Sequence, residues 1–565
     1  MKTKYAFLLL LIVSSLTLLP FLGEALFYSK GEPREAIVAV SMLQSGNWIL
    51  PVSNGDMIPY KPPFMAWCIA LFSLPWGHVT EYLSRLPSAL ALIWLILWTY
   101  VFYVKKGGKG RALLTAFLLL TSFEVYRAGV ACRVDMLLTF FTVGAIYSLY
   151  SYWRRGLKGV PLMAILMMSG ACLTKGPVGV VIPCAVAGLF MLLKGERFWK
   201  VFGLLFIWAI AACVIPALWY VAAFNQGGEQ FRELMLEENI GRMTGTMSYD
   251  SHLNPWYYNV ITLVCGFLPY TLLLLFSLVA LFRHYRLHKP ADGLWNAIRA
   301  MEPETLLSAV ASITIFVFYC IPASKRSVYL LPMYPFVAFL IAGYLQSLAK
   351  ASKRTIKVYA SVLSGLAIIV FGAFLFLQCG DFPYGMLKGK HALENSLYVT
   401  AMTQHFPWFR WILAEIPALV ALLLIIKLRK LSGYGALAGS IALTVTLYWA
   451  FAGVFQPAIL NTKSDKRIAT ALNELEPERN VYAYTQDYNT RFFGVDYYLN
   501  DRLKSIADAP EGAEGYMIIT VDDGKTYLPE NAGKYDFYLL KHFRTRSCDL
   551  RKEVLLLKFK PRTVD

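Results

Sequence analysis

Long apolar segments, separated by short polar loops, constrain the fold of this chain more than any other feature of its sequence. One of them, VFGLLFIWAIAACVIPALWYVAAF (201–224), contains no charged side chain. A transmembrane helix needs about 20 apolar residues to cross a hydrocarbon core of about 30 Å, and several segments reach this length. Charged residues make up only 16% of the 565 residues, whereas soluble domains contain about 25%. The sequence therefore predicts an α-helical polytopic membrane protein.

The length criterion predicts about thirteen transmembrane helices. The first follows the basic sequence MKTK, as a signal peptide would. We predict that it is retained, because its apolar run is longer than that of a typical signal peptide and no convincing cleavage site precedes Glu24. The predicted spans lie near residues 5–22, 85–104, 111–125, 136–153, 160–173, 177–194, 200–223, 257–282, 304–321, 328–348, 355–378, 409–427 and 434–455.

Basic residues cluster in the loops on one side of these spans. With the thirteen predicted spans all the clusters fall on the same face, and the positive-inside rule places that face in the cytoplasm. The net charge of +18 then reflects topology and contact with anionic lipid headgroups, and it requires no nucleic-acid partner. The clusters are KKGGKGR (105–111), RRGLK (154–158), KGERFWK (194–200), RHYRLHK (283–289), KASKRTIK (350–357) and KLRK (427–430).

The opposite face carries the unusual polar material, including outer loops 24–84 and 224–256 and the chain after residue 456. Several ionisable residues also lie at the outer ends of spans, where they are costly unless they line a cavity or contact headgroups. Any one of them could simply extend its charge to the interface, but the set indicates a polar cavity. These residues are Asp135, Lys175, Lys325 and Arg326.

The composition changes near Lys463. Segments rich in Tyr, Val, Phe and Ile predict short strands, and KRIATALNELEP has helical periodicity. We therefore predict a transmembrane catalytic domain over residues 1–458 and a small soluble α/β domain over residues 459–565, which is large enough to hold its own core. The predicted strands lie in NVYAYTQDYNTRFFGVDYYLN, EGYMIITVDDG, YDFYLLKHF and EVLLLKFKP.

The nine cysteines show no CxxC pattern, and most lie in or near spans, as small apolar side chains do. A disulfide between Cys379 and Cys548 is possible, although no spacing rule supports it. Of the seven scattered histidines, His252 lies on the outer face beside acidic residues, in SYDSHLNPWYY. A lone histidine in a loop is usually an ordinary surface residue, so the pattern is weak evidence for a metal.

The first outer loop places acids and bases directly above the membrane: Glu32, Arg34, Glu35, Asp56 and Lys61. Release of a sugar from a lipid-linked phosphate passes through an oxocarbenium-like state while negative charge builds on the departing phosphate. Lysine and arginine stabilise that charge, and a carboxylate can deprotonate an attacking hydroxyl or steer an attacking phosphate. The loop therefore indicates chemistry on a lipid-linked sugar.

Several motifs resemble those of the GT-C fold glycosyltransferases that take sugars from polyprenyl phosphates. The resemblance is closest to the lipid A aminoarabinose transferases, with the protein O-mannosyltransferases more distant, and it covers roughly the first 340 residues. This resemblance rests on the order and spacing of the motifs, more than on any single motif. The motifs are GEPREAIVAVSMLQSGNWILP, YKPPFMAW, RVDMLLTFF, LTKGP, HLNPWYY with GFLPY, and ASKRSVYLLPMYP.

The resemblance assigns catalytic roles, with one departure in the first loop. The family has an Asp, a Glu and, two residues later, an Arg, and these positions hold Gly31, Glu32 and Arg34 here. Because the family's usual catalytic Asp is absent, either Glu32 takes over or catalysis depends on Asp135, which matches the family's second acid. Asp135 could instead pair with nearby Arg133 or Arg127 and only hold its turn.

A second departure concerns a metal. The family's Glu-Lys-Pro sequence is Tyr60-Lys61-Pro62 here, which keeps the phosphate-binding lysine and loses an acid implicated in metal contact. His252 matches a histidine linked to the same metal, so a divalent metal is a possible cofactor but tight binding is not expected. The residues that we assign to substrate phosphates are Lys61, Arg34, Lys175, Lys325, Arg326 and Tyr329.

The resemblance implies a glycosyltransferase of the bacterial inner membrane, with its site and its C-terminal domain in the periplasm. The implied donor is a polyprenyl-phosphate sugar, and the implied acceptor is lipid A phosphate, a protein Ser or Thr, or another envelope glycan. A non-enzymatic transporter or flippase is the alternative. We find no paired repeat with Gly- or Pro-interrupted helices of the kind that inverted-repeat carriers often show.

Overall fold

The computed structural model describes residues 2–105, 107–241, 244, 253–284, 298–380, 382–389, 391–487 and 490–562. Most of these residues are helical. The helices, numbered along the chain, are α1 (Thr3–Leu18), α2 (Pro33–Ser45), α3 (Phe64–Ser73), α4 (Glu81–Val104), α5 (Lys109–Thr121), α6 (Phe123–Gly129), α7 (Val134–Arg154), α8 (Leu162–Lys175), α9 (Val178–Leu193), α10 (Phe198–Leu236), α11 (Tyr258–Gly266), α12 (Tyr270–His284), α13 (Pro303–Cys320), α14 (Tyr334–Ala351), α15 (Lys353–Cys379), α16 (Ala392–Thr403), α17 (Trp408–Lys427), α18 (Gly433–Ala450), α19 (Gln456–Leu460), α20 (Lys466–Leu475), α21 (Phe493–Tyr498) and α22 (Val521–Asn531).

Among the described residues, eight helices are long and apolar enough to cross a membrane, and ten spans result if each of two bent pairs counts as one. The bent pairs are α5 with α6, at 65°, and α11 with α12, at 102°. Helices α1, α8 and α9 are apolar but shorter. Each predicted span overlaps one of these helices or bent pairs, so the membrane fold is confirmed, while the length test alone supports fewer spans than the predicted thirteen.

The helices differ in how deeply they are enclosed. Within the most apolar window of each helix, 78% of residues are buried in α7 and only 22% in α10 and in α17. Helix α7 therefore lies inside the bundle, whereas α10 and α17 present their apolar side chains to the surroundings, as helices facing lipid do. Aromatic stacking reinforces the interior, with ring centroids 3.9 Å apart for Phe102 and Tyr147 and for Tyr103 and Phe339.

The first outer loop folds into two short helices above the bundle. Helix α2 begins at Pro33, whose missing N–H costs nothing in a first helical turn. After its last residue, Ser45, the chain turns at Gly46, which adopts the left-handed region with φ 68°. One face of α2 packs against α3 and another against α21 from the C-terminal part of the chain. An ion pair of 2.7 Å between Arg491 and Asp56 joins the same two regions. The first loop thus lies between the membrane helices and the C-terminal sheet.

The C-terminal part forms a five-stranded mixed sheet. Strands β1 and β2 pair in parallel, as do β1 and β3, whereas β5 runs antiparallel to both β3 and β4. The strand order is β2-β1-β3-β5-β4. The strands are β1 (Val481–Tyr484), β2 (Leu503–Ser505), β3 (Gly515–Thr520), β4 (Tyr535–Phe543) and β5 (Val554–Pro561).

Two details of the sequence interpretation are wrong. The segment FGVDYY, which we assigned to a strand, is helix α21, because all of its first five residues are buried and it packs against both α2 and α20. An alternating strand would turn half of these side chains to solvent. The suggested disulfide is also absent, since Cys379 and Cys548 are free thiols.

Candidate active site

A cavity of about 280 Å³ opens at the start of α7 and at the ends of α8 and α13. Each of these helices changes there from an apolar span to a polar turn, which gathers ionisable groups at the ends of the spans. The first loop and the 3₁₀ turn Ser327–Met333 complete the wall. Its charged side chains are Arg34, Lys61, Asp135, Lys175, Glu238 and Arg326.

An ion pair between Asp135 and Lys175 lies at the centre of this wall. Lys175 Nζ donates to Asp135 Oδ1 at 2.5 Å, and the side chains are 21% and 7% exposed. Asp135 stands in the first turn of α7 and Lys175 in the last turn of α8, so both charges are favoured by the helix dipoles. Lys175 Nζ also lies 4.2 Å from the ring centroid of Tyr329.

Neither arginine that sequence reasoning offered as an alternative partner forms an ion pair with Asp135 among the described contacts. Arg127 instead donates to Glu124 at 2.6 Å. The Arg133 guanidinium lies against Gly31, since a Cβ built at that glycine would be 2.3 Å from Arg133 Nη2. Among the described contacts Asp135 therefore pairs with Lys175 and with neither arginine, and its catalytic role stays a prediction.

Lys61 forms a second cationic centre. Its ammonium group donates to the Glu35 carboxylate and lies 5.1 Å from the Tyr60 ring centroid, over which Arg34 also stacks at 4.3 Å. Burial lowers the pKa of Lys61, but the negative charge of Glu35 opposes this and the net pKa is raised. Lys61 therefore stays charged while it lines the cavity.

Glu32 lies outside this cavity, in a buried ion pair. Its carboxylate accepts hydrogen bonds from Arg85 at 2.8 and 3.2 Å and from the Cys132 backbone N–H at 3.0 Å. Burial raises the pKa of Glu32, but the Arg85 charge outweighs burial and holds the net pKa below its usual value. The structure brings Glu32 together with Arg85 and not with Asp135, and a catalytic role for Glu32 stays a prediction.

Lys325 and Arg326 are adjacent in sequence but face different surroundings. Lys325 Nζ donates to backbone carbonyl oxygens, at 2.7 Å for Pro322 and 3.3 Å for Asn254, and so stabilises its own turn. Arg326 and Tyr329 line the cavity. Of the six residues that we assigned to substrate phosphates, Lys325 is the one that the described cavity wall does not include.

Sequence reasoning overlooked several residues that line the cavity. Glu238 and Asn239 come from the π turn after α10, in the second outer loop. Their signal was the acidic pair in LMLEENIG (234–241), an unusual feature so close to a long apolar helix. Tyr60 and Tyr319 also line the cavity, and no sequence pattern distinguished them from the many other tyrosines.

The implied metal stays a prediction: Asp135 and Glu238 line the cavity, but the position of the family's acid holds Tyr60. His252 lies outside the described residues. Tyr60, which stands where the family has an acid, has a buried hydroxyl without a hydrogen-bond partner among the described residues. Its ring contacts the cationic groups of both Arg34 and Lys61. A phenol beside two cationic groups does not replace the carboxylate oxygen that divalent ions favour.

A larger, strongly basic cavity of about 790 Å³ adjoins the first and shares Arg34 and Arg326 with it. It lies between the first outer loop and the C-terminal part of the chain. Its acidic side chains are Glu394 and Asp549. Its basic side chains are Lys30, Arg34, Arg133, Arg326, Lys463, Arg467, Arg546 and Arg551.

A third cavity of about 520 Å³ connects this basic region to the apolar bundle. It shares Tyr28, Ser29, Arg133 and Leu460 with the basic cavity. Its apolar wall comes from α1, α6 and the end of α18 and the turn after it. Burial lowers the pKa of Arg133, and the nearby charge of Arg326 lowers it further, as expected for a buried guanidinium group beside a second positive charge.

Known proteins resemble this chain in sequence and in fold. A profile described as dolichyl-phosphate-mannose-protein mannosyltransferase matches residues 60–220. An undecaprenyl phosphate-alpha-4-amino-4-deoxy-L-arabinose arabinosyl transferase of Enterobacter sp. (strain 638) is 28% identical, over 68% of this chain and 67% of its own. An uncharacterized protein of Aquifex aeolicus (strain VF5) is also 28% identical, over 67% of this chain and 71% of its own.

The crystal structure of ArnT from Cupriavidus metallidurans bound to undecaprenyl phosphate superposes with a TM-score of 0.71. It covers 98% of each chain at 19% sequence identity, so this likeness concerns the fold. This chain is a membrane glycosyltransferase with the GT-C fold. The resemblance inferred from the sequence motifs is confirmed, and the cavity with the Asp135–Lys175 pair is its candidate active site.

Proposed function

We propose that this glycosyltransferase moves a sugar from a polyprenyl phosphate to an anionic lipid acceptor, such as a lipid A phosphate, on the periplasmic face of the inner membrane. The observation that carries the proposal is the Asp135–Lys175 pair in a cavity that Lys61, Arg34 and Arg326 also line. The relatives whose names specify undecaprenyl phosphate-aminoarabinose as donor support the choice of donor.

The donor phosphate binds among the cations of the 280 Å³ cavity. Lys175 and Lys61 are partly exposed, so their ammonium groups can stabilise negative charge as the bond between sugar and phosphate breaks. The polyprenyl chain extends towards the lipid from a cavity whose lining also includes Pro177, Val178 and Phe318. Preorganised cations of this kind favour the transition state more than the intact donor, because the leaving phosphate gains charge.

Asp135 stabilises positive charge in the transition state. An acceptor phosphate is anionic at neutral pH and needs no general base. We therefore assign the Asp135 carboxylate to the positive charge that develops on the sugar, while its hydrogen bond holds Lys175 toward the departing phosphate. A protein Ser or Thr acceptor would instead need a base, and among the described residues the cavity offers Asp135 and Glu238 as carboxylates.

The acceptor headgroup binds in the 790 Å³ cavity. Arg133 and Arg326 lie at its junctions with the two other cavities, and guanidinium groups bind phosphate with two parallel hydrogen bonds. The apolar wall of the third cavity then accommodates acyl chains entering between α1, α6 and α18. This arrangement favours an amphipathic acceptor over a soluble peptide.

The decisive experiment is a transfer assay with purified protein and a polyprenyl phosphate carrying a radiolabelled sugar. We expect label to move to an anionic lipid such as lipid A, and no transfer without acceptor. In sealed vesicles, transfer should require acceptor on the periplasmic side. Movement of intact donor across the membrane without cleavage would instead identify a transporter.

Replacement of Lys61 should weaken use of the donor. Loss of a charge-assisted hydrogen bond costs about 1.5–3 kcal/mol, so we expect kcat/KM for the donor to fall about 10- to 100-fold in Lys61→Ala. Steady-state kinetics with varied donor concentration measure this effect. The exposed Lys525 gives a matched control, Lys525→Ala, and equal kinetics in the two variants would remove Lys61 from the donor site.

Replacement of Arg133 should act on the acceptor. In Arg133→Gln we expect the KM for acceptor to rise about 10-fold, because one charged contact to its phosphate is lost. The dissociation constant for polyprenyl phosphate should change little. Arg232→Gln, which removes an exposed guanidinium, is the control. If the acceptor kinetics of Arg133→Gln are unchanged, the acceptor phosphate binds elsewhere.

A further inference from the structure

Three side chains that the proposed transfer reaction does not use converge at the edge of the basic cavity. Asp465, Cys548 and Asp549 each offer one ligand atom, and these atoms all lie within 4.8 Å of one another. Asp465 immediately precedes α20, whereas Cys548 and Asp549 lie in the turn between β4 and β5. Residues some 80 positions apart in sequence thus meet at one point.

The Asp549 carboxylate is incompletely satisfied there. Its Oδ2 accepts a hydrogen bond from the Gly494 backbone N–H at 2.6 Å. Its Oδ1 is buried and has no hydrogen-bond partner among the described residues, and the side chain as a whole is only 7% exposed. A buried carboxylate oxygen without a partner costs free energy, and a bound cation would remove that cost.

The buried carboxylate of Asp465 increases the free-energy cost of burying Asp549. Asp465 is fully buried and lies within 4.8 Å of both other ligand atoms. Two buried carboxylates repel each other unless a proton or a cation lies between them. The neighbouring Arg467 donates to the backbone carbonyl oxygens of Thr545 and Arg546, at 3.0 and 3.1 Å, and not to either carboxylate in the described contacts.

From this geometry we propose that Asp465, Cys548 and Asp549 bind a divalent transition-metal ion, with Zn²⁺ as the ion that suits them best. A thiolate with two carboxylates favours Zn²⁺ over Mg²⁺, which prefers oxygen ligands alone. The Cys548 thiol donates a hydrogen bond to Asp465 Oδ2 at 3.4 Å, which is close to the separation of about 3.5 Å between ligand atoms that tetrahedral Zn²⁺ requires. Water from the cavity supplies the fourth ligand.

Surrounding hydrogen bonds already orient the ligands. Asp465 accepts from Ser547 Oγ at 2.6 Å and from the Cys548 backbone N–H at 3.0 Å. Such second contacts fix ligand geometry and sustain metal affinity. Because Cys548 and Asp549 line the 790 Å³ cavity, an ion can enter from it, and the Cys548 thiol releases its proton to solvent on binding. The ion would tie α20 and the β4–β5 turn to the wall of that cavity.

Metal titration of the purified full-length protein in detergent tests this proposal. After treatment with a chelator, wild type should bind about one equivalent of Zn²⁺, and Co²⁺ should produce a thiolate-to-metal charge-transfer band. Cys548→Ser should lose that band, and Ser547→Ala should bind Zn²⁺ about tenfold more weakly. Cys379→Ser, which removes another free and exposed thiol, should match wild type.

Thermal unfolding provides a readout that does not depend on activity. Added Zn²⁺ should raise the apparent Tm of chelator-treated wild type, and this shift should vanish in Asp549→Asn. If Zn²⁺ leaves the wild-type Tm unchanged and does not bind, the carboxylates share a proton and the proposal is overturned. An unchanged Co²⁺ spectrum in Cys548→Ser would also overturn it. The wild-type titration decides the matter alone if a variant does not fold.

Discussion

Asp135→Asn should reduce sugar transfer on the order of 100-fold or more while the protein keeps its fold. Asparagine has nearly the same shape as aspartate but no charge, so it can stabilise neither the positive sugar nor the ammonium group of Lys175. Turnover with saturating donor and acceptor measures the loss. Binding of polyprenyl phosphate should persist, because Lys61, Arg34 and Arg326 remain in the cavity.

An ion pair elsewhere, formed by a buried carboxylate and a partly exposed arginine, provides the control for this variant. Glu124 is as buried as Asp135 and pairs with Arg127 at 2.6 Å, but it does not line the 280 Å³ cavity. Glu124→Gln should lower thermal stability and leave turnover within about threefold of wild type. If well-folded Asp135→Asn behaves in the same way, Asp135 has only a structural role.

Glu32→Gln should have the largest effect on stability. Glu32 and Arg85 are both almost fully buried, and removal of one partner leaves the other charge buried and uncompensated, at a cost of about 3–5 kcal/mol. We therefore expect a large fall in the apparent Tm of the detergent-solubilised protein. The activity of the folded fraction, measured below that Tm, should stay near the wild-type value. Normal stability with lost turnover would instead support a catalytic Glu32.

The same pair makes stability sensitive to acid. The folded-state pKa of Glu32 lies below its ordinary value, so the pair's contribution is fully present above the ordinary carboxyl pKa of about 4.3. It is lost as the pH falls through the lower folded-state pKa. The difference in Tm between wild type and Glu32→Gln should therefore shrink below about pH 4. A difference that is constant with pH would contradict the assignment.

The sequence predicted the membrane helices well because their signal is local. Apolar length and the charge of the flanking loops decide where a helix crosses, and α8 and α9 were assigned although they are short. The strand prediction failed at α21, since the burial of Phe493 and Tyr497 depends on their contact with α2 and Phe27, far away in the sequence. Tertiary contacts of this kind override local propensity.

The site was predictable as a set of residues but not as a set of pairs. Asp135 and Lys175 were identified because charged residues are costly at span ends, and Lys61 because it matches the phosphate-binding lysine of the family motif. Their partners depend on helix packing, so the sequence did not show that Lys175 contacts Asp135 or that Lys61 contacts Glu35. It also gave no sign that Lys325 turns to backbone carbonyls. The basic cavity is lined jointly by the first loop and the C-terminal part of the chain, so it depends on a contact between distant segments.

The most direct test is an experimental structure of this protein with polyprenyl phosphate bound. We expect the phosphate in the 280 Å³ cavity, with its oxygens about 3 Å from the Lys175 and Lys61 ammonium groups, and Asp135 on the side where the sugar of the donor would lie. A phosphate that occupies only the basic cavity at Arg133, or that contacts neither lysine, would contradict this assignment of the active site.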